Sequence, residues 1–185
     1  FKTNSPSMDI LISSNLERLL FELTGKNGEK VNEWMNELAG KGSYTVDANT
    51  LRAMQSVFVG GFADETGILK TIREIYDRCD HIVDTHTAVG FNVYGRYYHR
   101  SADETKTIFV STASPFKFAD SVMDAIFGNG YSKGRSSEVI IRELSEESSL
   151  TVPEGLSNLG EKPVLHSAVI EKEQMKDQVL SILLK

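Results

Sequence analysis

The stretch Thr107-Ile108-Phe109-Val110-Ser111-Thr112-Ala113, followed at once by Ser114-Pro115, constrains the fold more than any other part of the chain. It is rich in β-branched and aromatic residues around a short apolar centre, the pattern of a strand buried in a parallel sheet. Ser114 and Pro115 suit the N-cap and first turn of a helix that begins without a linker. A strand running directly into a helix is the repeating unit of open α/β sheets, where ligands bind beyond the carboxyl ends of the strands. A hydroxyl within Ser111-Thr112-Ala113-Ser114 can point into such a cleft, beside a helix N-terminus that favours anions. Spacing alone favours the plainer reading, residues that only end a strand and cap a helix.

Helical patterns fill most of the remainder. Ser14 and Glu17 have capping-box spacing, and Leu16, Leu19, Leu20 and Leu23 follow on one helical face. Thr24-Gly25-Lys26-Asn27-Gly28 breaks that run. Val31, Trp34, Met35 and Leu38 repeat the spacing, with Gly40 as the expected left-handed stop. Asp47 is expected to cap a helix carrying Leu51, Met54 and Phe58 and ended by Gly60-Gly61. Asp64 is expected to cap another, with Ile68, Leu69, Ile72, Ile75 and Tyr76 inward and Arg73 and Arg78 near its C-terminal end, where cations suit the dipole. A helix is expected from Thr87. Phe118, Val122, Ala125 and Ile126 mark the inner face of the helix after Ser114-Pro115. Val139, Ile140, Ile141 and Leu144 favour a helix, 164–170 may run extended, and Met175, Val179, Ile182 and Leu183 give a closing amphipathic helix.

Other groupings carry less chemistry. His81, Asp84 and His86 are metal-ligating residue types, but their spacing is not that of a ligand pair on a helix, and no metal site is expected there. Gly128 to Ser137 is rich in glycine, hydroxyls and cations, yet lacks the fixed Gly and Lys offsets of a P-loop and reads as a connecting loop. Glu143, Glu146 and Glu147 read as a solvated helix face, and Cys79 as a packing residue.

Composition narrows the function class. A net charge of −6 over 185 residues argues against a nucleic-acid binder, which needs a basic surface. One cysteine permits neither an internal disulfide nor a multi-cysteine zinc site. No apolar run approaches the roughly 20 residues that span a bilayer. This charge balance fits a cytoplasmic enzyme without identifying one. The chain opens on Phe1 and a polar stretch, which reads as a segment cut from a longer protein.

Three stretches, in order, carry a resemblance to a known family. Ser5-Pro6-Ser7-Met8-Asp9-Ile10, continuing into Ser13-Ser14-Asn15-Leu16-Glu17-Arg18, resembles the segment that opens the C-terminal part of threonine synthases. Asp84-Thr85-His86-Thr87-Ala88-Val89-Gly90 resembles the family's Asp-Pro-His-Thr-Ala-Val-Gly. Ser111-Thr112-Ala113-Ser114-Pro115-Phe116-Lys117-Phe118 resembles its Thr-Ala-His-Pro-Ala-Lys-Phe. Thr85 stands where the family often has proline and Ser114 where it often has histidine. The resemblance covers the chain to about Phe127 and is weaker beyond.

The resemblance implies an α/β fold: the C-terminal portion of a fold type II pyridoxal-phosphate enzyme, helix-rich with a few parallel strands. Residues 1–185 would be the C-terminal part, with a helical region over about 15–80, part of the α/β core over about 81–130, and C-terminal helices and short strands over about 131–185. It implies conversion of O-phospho-L-homoserine and water to L-threonine and phosphate, with pyridoxal 5'-phosphate as cofactor. Thr112 would hydrogen-bond the cofactor's pyridine nitrogen. Asp84 and His86 would lie near the active-site core, and Ser5 to Asp9 near the cleft entrance. The lysine that holds the cofactor as a Schiff base, and the glycine-rich phosphate loop, are expected upstream in an absent N-terminal half, the segment's expected partner. Lys2 and Lys117 mimic the lysine's context only superficially, so no catalytic residue is assigned here, and the chain alone is expected neither to bind the cofactor nor to turn over. The alternatives are another fold type II lyase, such as a dehydratase or a tryptophan synthase β-like protein, and a non-catalytic threonine-synthase-like or interaction module.

Overall fold

The computed structural model describes residues 3–10 and 12–184. Chain packing separates two units, Phe1–Thr151 and Val152–Lys185.

The first unit begins with helices α1 (Ser14–Leu23), α2 (Gly28–Lys41) and α3 (Ala48–Gln55). The cap of α1 is Ser13, not Ser14: its hydroxyl accepts the Leu16 N–H at 3.3 Å from an extended backbone (φ −96°, ψ 103°). A cap must stand just outside the helix, and Ser14 is already helical. Glu17 remains in the first turn, where its charge suits the dipole. Helix α2 runs past Gly40 and stops at Gly42, which takes the left-handed conformation (φ 76°) and donates its N–H to the Leu38 carbonyl at 2.9 Å.

Asp47 caps α3 as expected, accepting the N–H groups of Asn49 and Thr50 at 2.9 and 3.1 Å and the Thr50 hydroxyl at 2.7 Å. It also meets Lys30 Nζ of α2 at 2.5 Å. The Lys30 ammonium first, and then Thr50, hold this carboxyl well below the usual carboxylate range. Leu20, Val31 and Trp34 form the buried centre of this region, with Met35, Tyr44, Val46 and Met54 around them. Phe58 was expected on the inner face of α3. The helix ends at Gln55, so Phe58 lies beyond it and is half exposed, as is Leu51.

A second core joins α4 (Glu65–Cys79), α5 (Thr85–Ser101), α6 (Ala119–Phe127) and α7 (Ser137–Ser148). Helix α4 packs on α5 and α6, and α6 packs on α7. Ile68, Ile72, Val122, Met123, Ile126, Ile140 and Leu144 are buried where these helices meet. Each such side chain contributes about 1.5–3 kcal/mol by leaving water. Arg73 of α4 donates to the Ile126 carbonyl near the end of α6, where helix carbonyls lack intrahelical partners. Cys79, expected to pack, is exposed at the last position of α4.

The expected strand over 107–113 is not formed, and no strand occurs among the described residues. A strand is defined by lateral hydrogen bonds to a neighbour, and this segment has none to pair with here. Its side chains nevertheless alternate. Phe109 stacks on Phe91 of α5, with ring centroids 3.8 Å apart and planes 8° from parallel, while Ile108 and Val110 are 84% and 77% exposed. Residues 164–170 are likewise irregular and largely exposed.

The second unit contains α8 (Met175–Leu183), preceded by a turn in which the Gln174 side chain accepts the Glu171 N–H at 3.1 Å. Its apolar residues Met175, Val179, Ile182 and Leu183 are exposed. Among the described residues, no helix is long and apolar enough to cross a membrane.

Candidate functional site

Helix α5 starts two residues earlier than the apolar pattern implies, because Asp84 is its cap. Asp84 is fully buried, and its Oδ1 accepts the N–H groups of His86 and Thr87 at 2.8 and 3.4 Å. The same oxygen lies 3.1 Å from His86 Nδ1, and Oδ2 accepts the Thr87 hydroxyl. A buried carboxylate is costly unless its lone pairs are met, and here four groups of its own helix turn meet them.

The other nitrogen of His86 settles the tautomer. Nε2 accepts the backbone N–H of Ser7 at 3.2 Å, so the ring proton sits on Nδ1 and points to Asp84. The imidazole is nearly buried and lies against Phe118, with centroids 4.6 Å apart. The Ser5 to Asp9 stretch is thereby held at the N-terminus of α5. It is held at the N-terminus of α4 as well, where Glu65 accepts the Asn4 N–H at 2.8 Å. Asp9 closes the stretch by accepting the hydroxyl and N–H of Thr3 at 2.8 and 2.7 Å, and the Thr3 hydroxyl is the first cause of a lowered carboxyl pKa.

The segment 107–113 joins the same place from the other side. Ser111 Oγ lies 3.0 Å from Thr87 Oγ1. Thr112, its neighbour, is exposed, and among the described residues its hydroxyl has no hydrogen-bond partner. Ser114 then caps a single turn, Pro115–Phe118, by accepting the Phe116 N–H at 3.3 Å, and Phe116 is buried. The three stretches singled out in the sequence therefore converge on the first turn of α5: Ser7 through His86, Asp84 as the cap, and Ser111 through Thr87. The spacing Asp84 to Thr87, cap to third helical position, is the signal that would have found Thr87.

His81 does not join them. It is exposed, and no group of three metal-ligating side chains forms among the described residues. Lys117 is exposed, with its ammonium 5.7 Å from the centre of the Phe118 ring, and Lys2 lies outside the described residues. In the loop from Gly128 to Ser137, Arg135 pairs with Glu143 at 2.7 Å and lies 4.0 Å over the Tyr131 ring, while the Ser132 N–H is given to Asp124 at 2.7 Å. Two of the acids read as a solvated face are therefore engaged: Glu143 with Arg135, and Glu147 with the hydroxyl of Tyr76.

A family model described as "Threonine synthase, C-terminal" matches residues 87–179, starting at the Thr87 just placed and taking in Ser111 and Thr112. The chain belongs to the threonine synthase family. Threonine synthase of Saccharomyces cerevisiae is 37% identical over 163 residues, covering 80% of this chain and 31% of that protein. Threonine synthase-like 1 of Homo sapiens is 30% identical over 178 residues, covering 96% of this chain and 22% of that protein. Among solved structures, the pyridoxal-phosphate-bound threonine synthase from Brucella melitensis superposes with a TM-score of 0.62 at 28% identity, covering 81% of this chain and 35% of that one. The chain thus spans about a third or less of the length of the curated relatives it matches.

Proposed function

We propose that this chain is the C-terminal portion of a threonine synthase of the fold type II pyridoxal-phosphate class, acting in the cytoplasm on O-phospho-L-homoserine and releasing L-threonine and phosphate. One observation carries the reading beyond family membership: Thr112 holds an exposed hydroxyl, unengaged among the described residues, flanked by Ser111, which bonds the first turn of α5, and by the capping turn at Ser114. A neutral hydroxyl fits a pyridine nitrogen, because it serves as donor or acceptor without forcing a charge onto the ring. When bound, the cofactor supplies an electron sink for carbanions formed at the substrate.

The residues of this chain orient; they do not hold the cofactor alone. One neutral hydrogen bond nets about 0.5–1.5 kcal/mol, against an association cost of at least about 4 kcal/mol. The covalent lysine and the phosphate cradle would come from an N-terminal half. The 185-residue chain by itself is therefore inactive in this reading. A second reading, a non-catalytic threonine-synthase-like protein, draws on the 96% coverage of this chain by threonine synthase-like 1.

The test is phosphate release from O-phospho-L-homoserine by the full-length protein, alongside borohydride trapping of the cofactor on the 185-residue chain. Turnover by the full-length protein, with no single stoichiometrically labelled lysine in the short chain, is expected. A full-length protein that binds the cofactor without turnover favours the second reading. One labelled lysine in the short chain, together with phosphate release, would show that it is an enzyme in its own right.

A further inference from the structure

We propose that Thr87 and Ser111 are positioning residues for Thr112, anchored by the buried carboxylate of Asp84. The inference rests on the reading of Thr112 as a cofactor contact.

A hydroxyl has one proton. Thr87 gives its proton to Asp84 Oδ2, so toward Ser111 its oxygen can only accept. The 3.0 Å contact therefore runs one way, from the Ser111 O–H to Thr87 and on to Asp84. The charge at the end of the chain strengthens both links, since bonds to an ionised acceptor are stronger and a chain of them is mutually polarised. The alternative acceptor for Ser111, the Ala113 carbonyl at 3.5 Å, lies at the limit of hydrogen-bonding distance. The anchor itself does not yield easily: Asp84 also caps α5 and holds His86.

The consequence falls on the next residue. The segment has no strand partner among the described residues to fix its backbone. Against α5 it is held by the stacking of Phe109 on Phe91 and by the Ser111 hydroxyl on Thr87. Downstream, the next fixed point is Ser114, which caps the turn that buries Phe116. Thr112 lies between the Ser111 bond and the Ser114 cap, on the open side of an alternating chain. With the bond intact, the direction of its hydroxyl is defined. Without it, residues 110–113 rotate as one loose span. Ser111 is itself exposed, so its hydroxyl adds little to global stability, and that separates positioning from folding.

The experiment uses the full-length protein with pyridoxal phosphate and the variants S111A, T87V, T87S, T112V and S111A/T112V. The readouts are cofactor dissociation constant, the absorption band of the bound cofactor, and the melting temperature of the cofactor-free protein. S111A and T87V are each expected to weaken cofactor binding about two- to tenfold, the span of one hydrogen bond, and to move the band in the direction that T112V moves it. S111A should leave the melting temperature at the wild-type value, T87S should restore both cofactor readouts, and the double variant should bind no more weakly than T112V alone. If T87V lowers the melting temperature, S111A decides. A wild-type band and affinity in S111A, with both changed in T112V, overturns the positioning role and leaves the Thr112 reading standing. Additive losses in the double variant also overturn it, since Ser111 would then act independently of Thr112. If T112V changes neither readout, the Thr112 reading falls and the positioning role falls with it.

Discussion

The backbone N–H of Ser7 reaches Nε2 of His86 at 3.2 Å, joining positions 79 apart in the sequence. That contact fixes a proton on the far side of the ring. Long-range proton–nitrogen correlation spectra should therefore show His86 as the Nδ1–H tautomer, and H86A should lower stability by about 1–3 kcal/mol in urea titrations, because it strips one donor from a buried carboxylate. The opposite tautomer would refute the contact with Ser7.

Burial predicts a sharp contrast between two leucines. Leu144 of α7 is fully buried, whereas Leu183 of α8 is 73% exposed. L144A should cost about 2–5 kcal/mol, and L183A no more than about 0.5 kcal/mol. Equal effects in chemical denaturation would mean that α7 does not pack as described.

The pH dependence at Asp47 follows from its lowered pKa. A carboxyl depressed in the folded state adds stability that is complete above the unfolded value, about 3.9, and is lost as pH falls through the folded value. Lys30 is the largest cause of the depression. K30M should thus move the Asp47 titration back toward the ordinary range, read by carboxyl carbon shifts, and acid unfolding should begin at higher pH. D47N should flatten that limb of the stability curve. An unmoved titration in K30M would show that Thr50 and the helix end, not the ammonium, set the value.

Gly61 makes a steric prediction. A Cβ there would stand 2.6 Å from Val93 Cγ1 on α5. Valine is branched on a helix and has little rotamer freedom to retreat. G61A should destabilise by about 1–3 kcal/mol, and the truncation V93A in the same chain should recover part of that loss in a double-mutant cycle. Strictly additive losses would place the two residues apart.

Local rules read the helices well because their information is local. Asp47 and Asp64 were legible as caps from a short polar side chain before an apolar period, and both cap as expected. The rules slipped where two residues of one type compete. Ser13 takes the cap in place of Ser14, and Gly42 the left-handed stop in place of Gly40, because a shift of one or two positions leaves the apolar period unchanged. The strand over 107–113 failed for a different reason: β-propensity describes a surface waiting for a neighbour, and the neighbour is not written in these seven residues. The site was legible only in part. Asp84, His86 and Thr112 stood out through family resemblance, while the hydroxyl of Thr87 and the N–H of Ser7 acquire meaning only when distant segments meet.

The alternation along Phe109 to Thr112 makes parity a property of this segment. Phe109 and Ser111 rest on α5 because two steps separate them, and Thr112 stands in the open because it is one step on. Exchanging a side chain alters one contact, but adding or removing a single residue between Phe109 and Ser111 exchanges the two faces. The open hydroxyl of Thr112 would then turn toward Thr87, and that of Ser111 would turn outward.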